Sequence, residues 1–363
     1  MRLELERRPE QSRLMLFLSP VMAIAITVLV GALVFAVAGI NPLRGLYVYF
    51  LSPFERMWSI QELMVKAAPL IIIALGLALC FQASVWNIGA EGQYTLGAIF
   101  GGYIALSFAD GPAYVVLPAM MLAGMVGGLL WAGIPAVLKT VFRANEILTS
   151  LMLTYVALLV LDYLVRGPWR DPMGFAFPET AIFTAAATLP ELTADGRLHL
   201  GVVFALALVV VFALALPTTL RGFEIRVAGN APKAARFAGF GLSATILFVF
   251  LASGALAGLA GIAEVSGTVH QLLPTISPGY GFTAIIVAFL GRLNPVGILV
   301  AGLVLSLSYI GGELAQMRLG LPLDVAMVFQ GILLFSLLAC DTLIYYRVRL
   351  VGRQRVAERG DVA

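Results

Sequence analysis

One carboxylate and two carboxamides stand close together in an otherwise apolar part of the chain. The run Trp86-Asn87-Ile88-Gly89-Ala90-Glu91-Gly92-Gln93 lies between apolar stretches at 67–82 and 94–108. A carboxylate at membrane depth is costly unless it is paired or faces a wet cavity. Backbone that leaves the helix there persists only where protein or water satisfies its polar groups. Gly89, Ala90 and Gly92 permit such a departure. The run therefore reads as a helix broken within a membrane, a place where a small polar solute can be held.

The side chains able to do so are Trp86, Asn87, Glu91, Gln93, Asn145, Glu146 and Tyr280, with Tyr155, Asp162, Glu264 and His270 in support. Aromatic faces stack a flat ring, while carboxamides and carboxylates bond hydroxyls. Each residue also has a plainer reading. Glu91 can pair with an arginine or cap the broken helix, and Asn145-Glu146 can cap a helix over 147–165. Trp86 and Tyr280 can anchor at the membrane surface, and His270 can be an ordinary loop histidine.

A second segment, Arg221 to Gly239, is polar and orderly. Asn230 reads as an N-cap, Pro232 suits a first turn, and Gly239 with Gly241 stops the helix. The expected element is a short helix with Ala234 and Ala235 on a small-residue face between Lys233 and Arg236. Such a face can enter a cleft on another protein. The plainer reading is a solvated basic loop.

The elements that position these groups follow from composition. The chain is 61% hydrophobic and 12% charged, with mean hydropathy +0.98. Soluble domains do not have this composition. Stretches 14–43, 67–90, 92–109, 111–138, 198–220, 237–263, 265–291 and 293–312 carry no Asp, Glu, Lys or Arg, and most reach the ~20 residues that cross a bilayer. The expected fold is an all-α polytopic membrane domain covering 1–363. Its ten helices lie near 14–39, 63–82, 93–108, 114–138, 147–165, 198–218, 243–263, 281–291, 296–312 and 324–346. With the N-terminus inside, 16 of the 23 Lys and Arg residues fall on the inner side and 7 outside, as the positive-inside rule expects. Residues 1–13 and 347–363 are then cytoplasmic tails, and the first helix is an uncleaved span rather than a signal peptide.

Outer loops at 40–62 and 166–197 carry the turn signals Gly167-Pro168, Asp171-Pro172 and Asp195-Gly196. Small-residue pairs Gly97/Gly101, Gly124/Gly128, Gly254/Gly258 and Ala257/Gly261 suit close helix packing. Helix 63–82 runs into the polar break 83–93, and helix 243–263 into the break 264–280, with three helices after each. This is the hydropathy pattern of an inverted repeat. Cys80 and Cys340 fall inside expected spans, so no disulfide framework is expected. Scattered histidines and cysteines give no metal-site spacing, and no cofactor is expected.

In order, the chain carries Asn87-Ile88-Gly89-Ala90-Glu91-Gly92-Gln93, Arg226-x-x-Gly229-Asn230-x-x-x-Ala234-Ala235-Arg236-x-x-Gly239, Gly254-x-x-Ala257-Gly258-x-x-Gly261, Gly279-Tyr280-Gly281-Phe282 and Asn294-Pro295-x-Gly297. This ordered set resembles the permeases of bacterial ABC importers for simple sugars, nucleosides and branched-chain amino acids, over roughly 60–345. Trp86–Gln93 with Asn145-Glu146-Ile147 is most similar to the nucleoside branch. The resemblance implies a non-catalytic permease in the cell inner membrane. It implies a cytoplasmic ATP-binding subunit, a second permease subunit of different sequence and an extracytoplasmic solute-binding protein, with no nucleic-acid partner. Asn230, Pro232, Lys233, Ala234, Ala235, Arg236 and Gly239 match the family's ATPase-coupling helix. The three lysines follow Val65, Leu138 and Pro232, so no Gly-x-x-x-x-Gly-Lys-[Ser/Thr] phosphate loop exists and ATP hydrolysis falls to another subunit.

The alternative is an ion-coupled secondary transporter of a small polar solute, with Glu91 or Glu264 binding the ion. Such a protein has no need of the 230–239 helix. An enzyme would need a nucleophile with its base, and a channel a repeated filter; neither pattern is present.

Overall fold

The computed structural model describes residues 2–7, 13–174, 177–193, 197–322 and 324–351. From the N-terminus the elements are β1 (Arg2–Arg7), α1 (Arg13–Val37), α2 (Pro42–Leu46), α3 (Met57–Gln82), α4 (Ala90–Ser107), α5 (Ala113–Phe142) and α6 (Glu146–Arg166). After a loop come α7 (Leu200–Thr218), α8 (Leu220–Asn230), α9 (Pro232–Phe237), α10 (Leu242–Glu264), α11 (Tyr280–Leu290), α12 (Pro295–Leu319), α13 (Asp324–Tyr345) and β2 (Tyr346–Val351). Among the described residues, six helices are long and apolar enough to cross a membrane: α3, α5, α6, α7, α12, and α10 with its continuation to Val269. Ten spans are therefore more than length and composition establish. The residues fall into two compact units, one from 54–310 and one from the chain ends, up to 53 and from 311.

The unit from the ends holds a small aromatic core. Tyr49 stacks on Phe329 with ring centroids 4.4 Å apart, and Phe35 lies against both. It also carries a short two-stranded ribbon, formed where cytoplasmic tails were expected. Arg2–Arg7 pairs antiparallel with Tyr346–Val351, fixed by an Arg347–Glu6 ion pair at 2.9 Å. Both strands alternate charged with apolar residues, a period-two pattern that a hydropathy scan averages away. The rest of both tails, 8–12 and 352–363, lies outside the described residues, as does the Asp195-Gly196 turn.

The larger unit is organised around α10, which packs on α3, α4 and α5. Glycines let the backbones touch. Side-chain carbon added at Gly97 would collide with the backbone of Gly258, and carbon at Gly128 with the carbonyl of Gly254. Without a hydrophobic drive between helices in lipid, such close contact supplies the packing energy. On the α3 side, carbon at Gly76 would fall 2.9 Å from Ser253 Cα.

Two expected boundaries are corrected. Helix α3 begins at Met57, not 63, so the outer loop at 40–62 is shorter and itself contains α2. Charge at Glu62 does not end the helix, because Gln61 and Glu62 are buried helical residues that meet the 166–199 loop: Thr193 Oγ1 donates to Gln61 Oε1 at 3.4 Å and Arg197 pairs with Glu62 at 3.8 Å. The polar stretch after 219 is a helix too. Thr219 caps α8 by accepting from the Gly222 N–H at 3.2 Å, and Arg221 pairs with Glu224 one turn on at 2.7 Å.

Candidate functional site

The chain leaves the helix at Ala83 and re-enters it at Ala90. Ser84, at φ 55°, makes the reversal, and its hydroxyl donates to the Gly229 carbonyl at 3.1 Å. The break is held from inside. Asn87 and Gln93 exchange two amide hydrogen bonds, Nδ2 to Oε1 at 2.9 Å and Nε2 to Oδ1 at 3.0 Å. Asn87 also donates to Ser253 Oγ at 3.1 Å and accepts from the Gly89 N–H at 3.1 Å. Both side chains are buried. A fully satisfied buried network of this kind specifies one geometry, because each group left alone would pay its full desolvation cost.

The break rests on α6. Ser150 Oγ accepts from the Ile88 N–H at 3.2 Å. Carbon added at Gly89 would lie 2.8 Å from the Ser150 carbonyl oxygen, and at Gly92 2.8 Å from Thr154 Cα. Glycine is needed here for close approach.

Glu91 joins the first break to the second. Its buried carboxylate accepts from the Gly281 N–H at 2.6 Å, in the first turn of α11. A carboxylate at a helix N-terminus satisfies an orphan amide and meets the positive end of the dipole. The contact is made to the start of α11, not to the helix that Glu91 itself belongs to. Helix α11 has 11 residues, roughly half the length needed to span hydrocarbon upright.

Beyond Gly281 lies a buried polar group. Tyr280 donates from its hydroxyl to Glu264 Oε1 at 3.5 Å and its ring meets those of Tyr94 and Tyr309. Glu264 Oε2 and the Tyr94 hydroxyl are buried without a hydrogen-bond partner. Helix α10 continues past Glu264 as a wider turn, Val265–Val269, ending at His270 in the left-handed region. The 166–199 loop is stitched to it: the Thr180, Phe183 and Leu189 N–H groups donate to the Leu272, His270 and Ser266 carbonyls at 3.1, 2.8 and 3.0 Å. His199, which the sequence reading passed over, caps α7 by accepting from the Gly201 N–H on Nδ1 at 3.1 Å. Its Nε2 lies 3.3 Å from Thr268 Oγ1. Burial, with His270 nearby, lowers its pKa to about 4.

The other candidates separate. Trp86 is 42% exposed and stacks on Phe289, centroids 5.9 Å apart, with Phe81 at 5.2 Å. Glu146 pairs with Lys139. Asn145 caps α6, accepting from the Ile147 and Leu148 N–H groups at 3.0 and 3.3 Å. Asp162 pairs with Arg166 at 2.7 Å, and Tyr155 is an exposed residue of the same helix. These two do not join the break. Ser253 and Glu62 meet chain-distant partners, so nothing local marks them; His199 caps locally but also reaches Thr268 on a distant element.

In the second segment Asn230 is the last residue of α8, not the cap of α9, whose N-cap Ala231 has no side-chain hydrogen bond. Pro232 does open α9, and Gly239, at φ 84°, ends it. The helix is 6 residues long. Ala235 is buried, while Lys233, Ala234 and Arg236 are exposed. Phe237 is 94% exposed.

A bundle of apolar helices built around a buried polar break defines a multi-pass membrane transport protein. Residues 59–338 match the family model described as "Branched-chain amino acid transport system / permease component", and the chain belongs to that family of ABC transporter permeases. It is 36% identical to the glucose ABC transporter permease protein TsgB13 of Haloferax volcanii, over 93% of this chain and 91% of that protein. Identity is 31% to the guanosine ABC transporter permease protein NupP of Bacillus subtilis, over 86% and 90%. It is 30% to the nucleoside ABC transporter permease protein NupB of Lactococcus lactis, over 88% and 89%. The family match replaces the ion-coupled alternative.

Proposed function

We propose that this permease carries nucleosides inward across the cell inner membrane, both termini cytoplasmic, as one transmembrane domain whose two breaks are the corresponding points of an inverted repeat. The observation carrying the substrate class is the array Phe81, Trp86 and Phe289 beside the first break, with Trp86 part-exposed. A flat base can stack there, and relatives named for guanosine and nucleosides align along most of the chain. Trp86, Asn87, Glu91, Gln93, Asn145, Glu146 and Tyr280 remain the proposed pathway set, Trp86 as the contact and the buried members as its frame. A simple sugar is the second reading, favoured by the 36% identity to a glucose permease.

The permease itself is non-catalytic. It works with a separate ATP-binding subunit, an extracytoplasmic solute-binding protein and a second, different permease chain. The exposed face of α9, with Lys233, Ala234, Arg236 and Phe237, is the ATPase-coupling surface. Uptake of radiolabelled guanosine by cells carrying the whole system, competed with glucose, ribose and leucine, tests the substrate. Competition by unlabelled nucleosides alone supports the proposal. Strong competition by glucose or ribose moves the assignment to sugars, and competition by leucine alone to amino acids.

A further inference from the structure

A cavity of about 520 Å³ opens where α3, α7 and α8 meet the turn between α11 and α12. Three apolar helices end or begin at its rim, α3 at Gln82, α7 at Thr218 and α12 at Pro295. This places it at the level where hydrocarbon gives way to headgroups. Its lining is divided accordingly. Phe212 and Leu216, from the last turns of α7, form an apolar wall, and Arg226, Asn230 and Arg292 form a polar, cationic end. Arg226 donates from Nη1 to the Leu216 carbonyl at 2.9 Å, which engages one of its five donors.

The floor is an unusual turn. Arg292 and Leu293 both lie in the left-handed region, at φ 53° and 56°, an uncommon pair for residues with side chains. The turn is pinned by Gln82, whose Nε2 donates to the Leu293 carbonyl at 2.8 Å.

We propose that this cavity binds an anionic phospholipid, its phosphate ester between Arg226 and Arg292 and the first part of one acyl chain against Phe212 and Leu216. Guanidinium groups match phosphate oxygens in a planar fork, and basic pockets between membrane helices are suited to phosphorylated headgroups. The apolar wall is what distinguishes a lipid from free phosphate or from an acidic segment of a water-soluble partner, neither of which would cover it.

The test uses the full chain purified in dodecyl maltoside. Short-chain phosphatidylglycerol, phosphatidylcholine of the same chain length and inorganic phosphate are titrated separately, with the thermal unfolding midpoint as readout. Phosphatidylglycerol is expected to raise the midpoint saturably, at least tenfold more tightly than phosphatidylcholine. The double variant Arg226→Gln/Arg292→Gln should weaken it at least tenfold. Ala213→Phe, which fills the apolar end, should weaken the lipid and leave any response to phosphate unchanged; it also serves if the double variant does not fold. Equal responses to the two lipids, or a double variant that binds as wild type, overturn the proposal. Saturation by inorganic phosphate at the same concentrations, indifferent to Ala213→Phe, assigns the site to a free anion instead. Loss of ATPase-subunit copurification in the double variant, with lipid affinity unchanged, assigns it to protein docking and equally sinks the proposal.

Discussion

Glu91 is the residue whose replacement says most about how this protein is held. Its carboxylate reaches Gly281 across 190 residues of chain, 2.6 Å from the amide nitrogen, and so ties α4 to α11. Glu91→Ala removes a hydrogen bond to a carboxylate, worth about 1.5–3 kcal/mol, and strands an amide whose desolvation costs about 1–3 kcal/mol. The lost interaction with the helix dipole adds up to about 2 kcal/mol in a partly buried setting. Removing the carboxylate also relieves its own burial, which offsets part of the sum. A net loss of about 2–4 kcal/mol is expected. Glu91→Gln keeps an acceptor oxygen and should lose only about 1 kcal/mol, the difference between a charged and a neutral acceptor. Reversible unfolding by sodium dodecyl sulfate in mixed micelles, followed by tryptophan fluorescence, measures both. If the alanine variant unfolds within about 0.5 kcal/mol of wild type, the capping role is wrong. If glutamine is as damaging as alanine, the charge has a use beyond the cap.

His199 provides a pH test. Its pKa is lowered to about 4 in the folded protein, against ~6.5 in an unfolded chain, so the unfolded state binds the extra proton. Its contribution is full above pH 6.5 and is lost as pH falls toward 4, by about 3 kcal/mol at most; a detergent unfolding curve for His199→Asn should show a flatter decline over that window. Gly92→Leu should not extend the helix harmlessly, because carbon there falls 2.8 Å from Thr154 Cα; we expect at least about 3 kcal/mol of destabilisation or failure to accumulate, and normal expression with a wild-type melting curve would refute the contact. Ala234→Arg should abolish stimulation of the partner ATPase by loaded binding protein while insertion is kept, and unchanged stimulation would reject α9 as the coupling surface. Ala235 is unsuitable for that purpose because it is buried at 0% exposure, so arginine there would unfold α9 itself.

What the sequence determined is what local patterning controls. Charge-free runs indicated most of the helices, since hydrocarbon admits only backbone that satisfies itself, although the run 265–291 also holds the loop before α11. The polar run from Trp86 to Gln93 marked a break because glycines flank a carboxylate there. The ordered motifs were enough to indicate the permease family. The paired strands at the ends and the extent of α8 are not legible in hydropathy, since the charge of both segments averages their pattern away.

What only tertiary structure decided is which groups satisfy which. Nothing near Glu91 in the chain shows that Gly281 is its partner, and nothing near Asn87 points to Ser253. Asn230 looked like a cap by residue type, but α8 extends through it, and position relative to a helix end determines whether a carboxamide can cap. Residue type sets which hydrogen bonds a buried group must make; only the packing of distant helices sets with whom, because in lipid the partner must come from the protein itself.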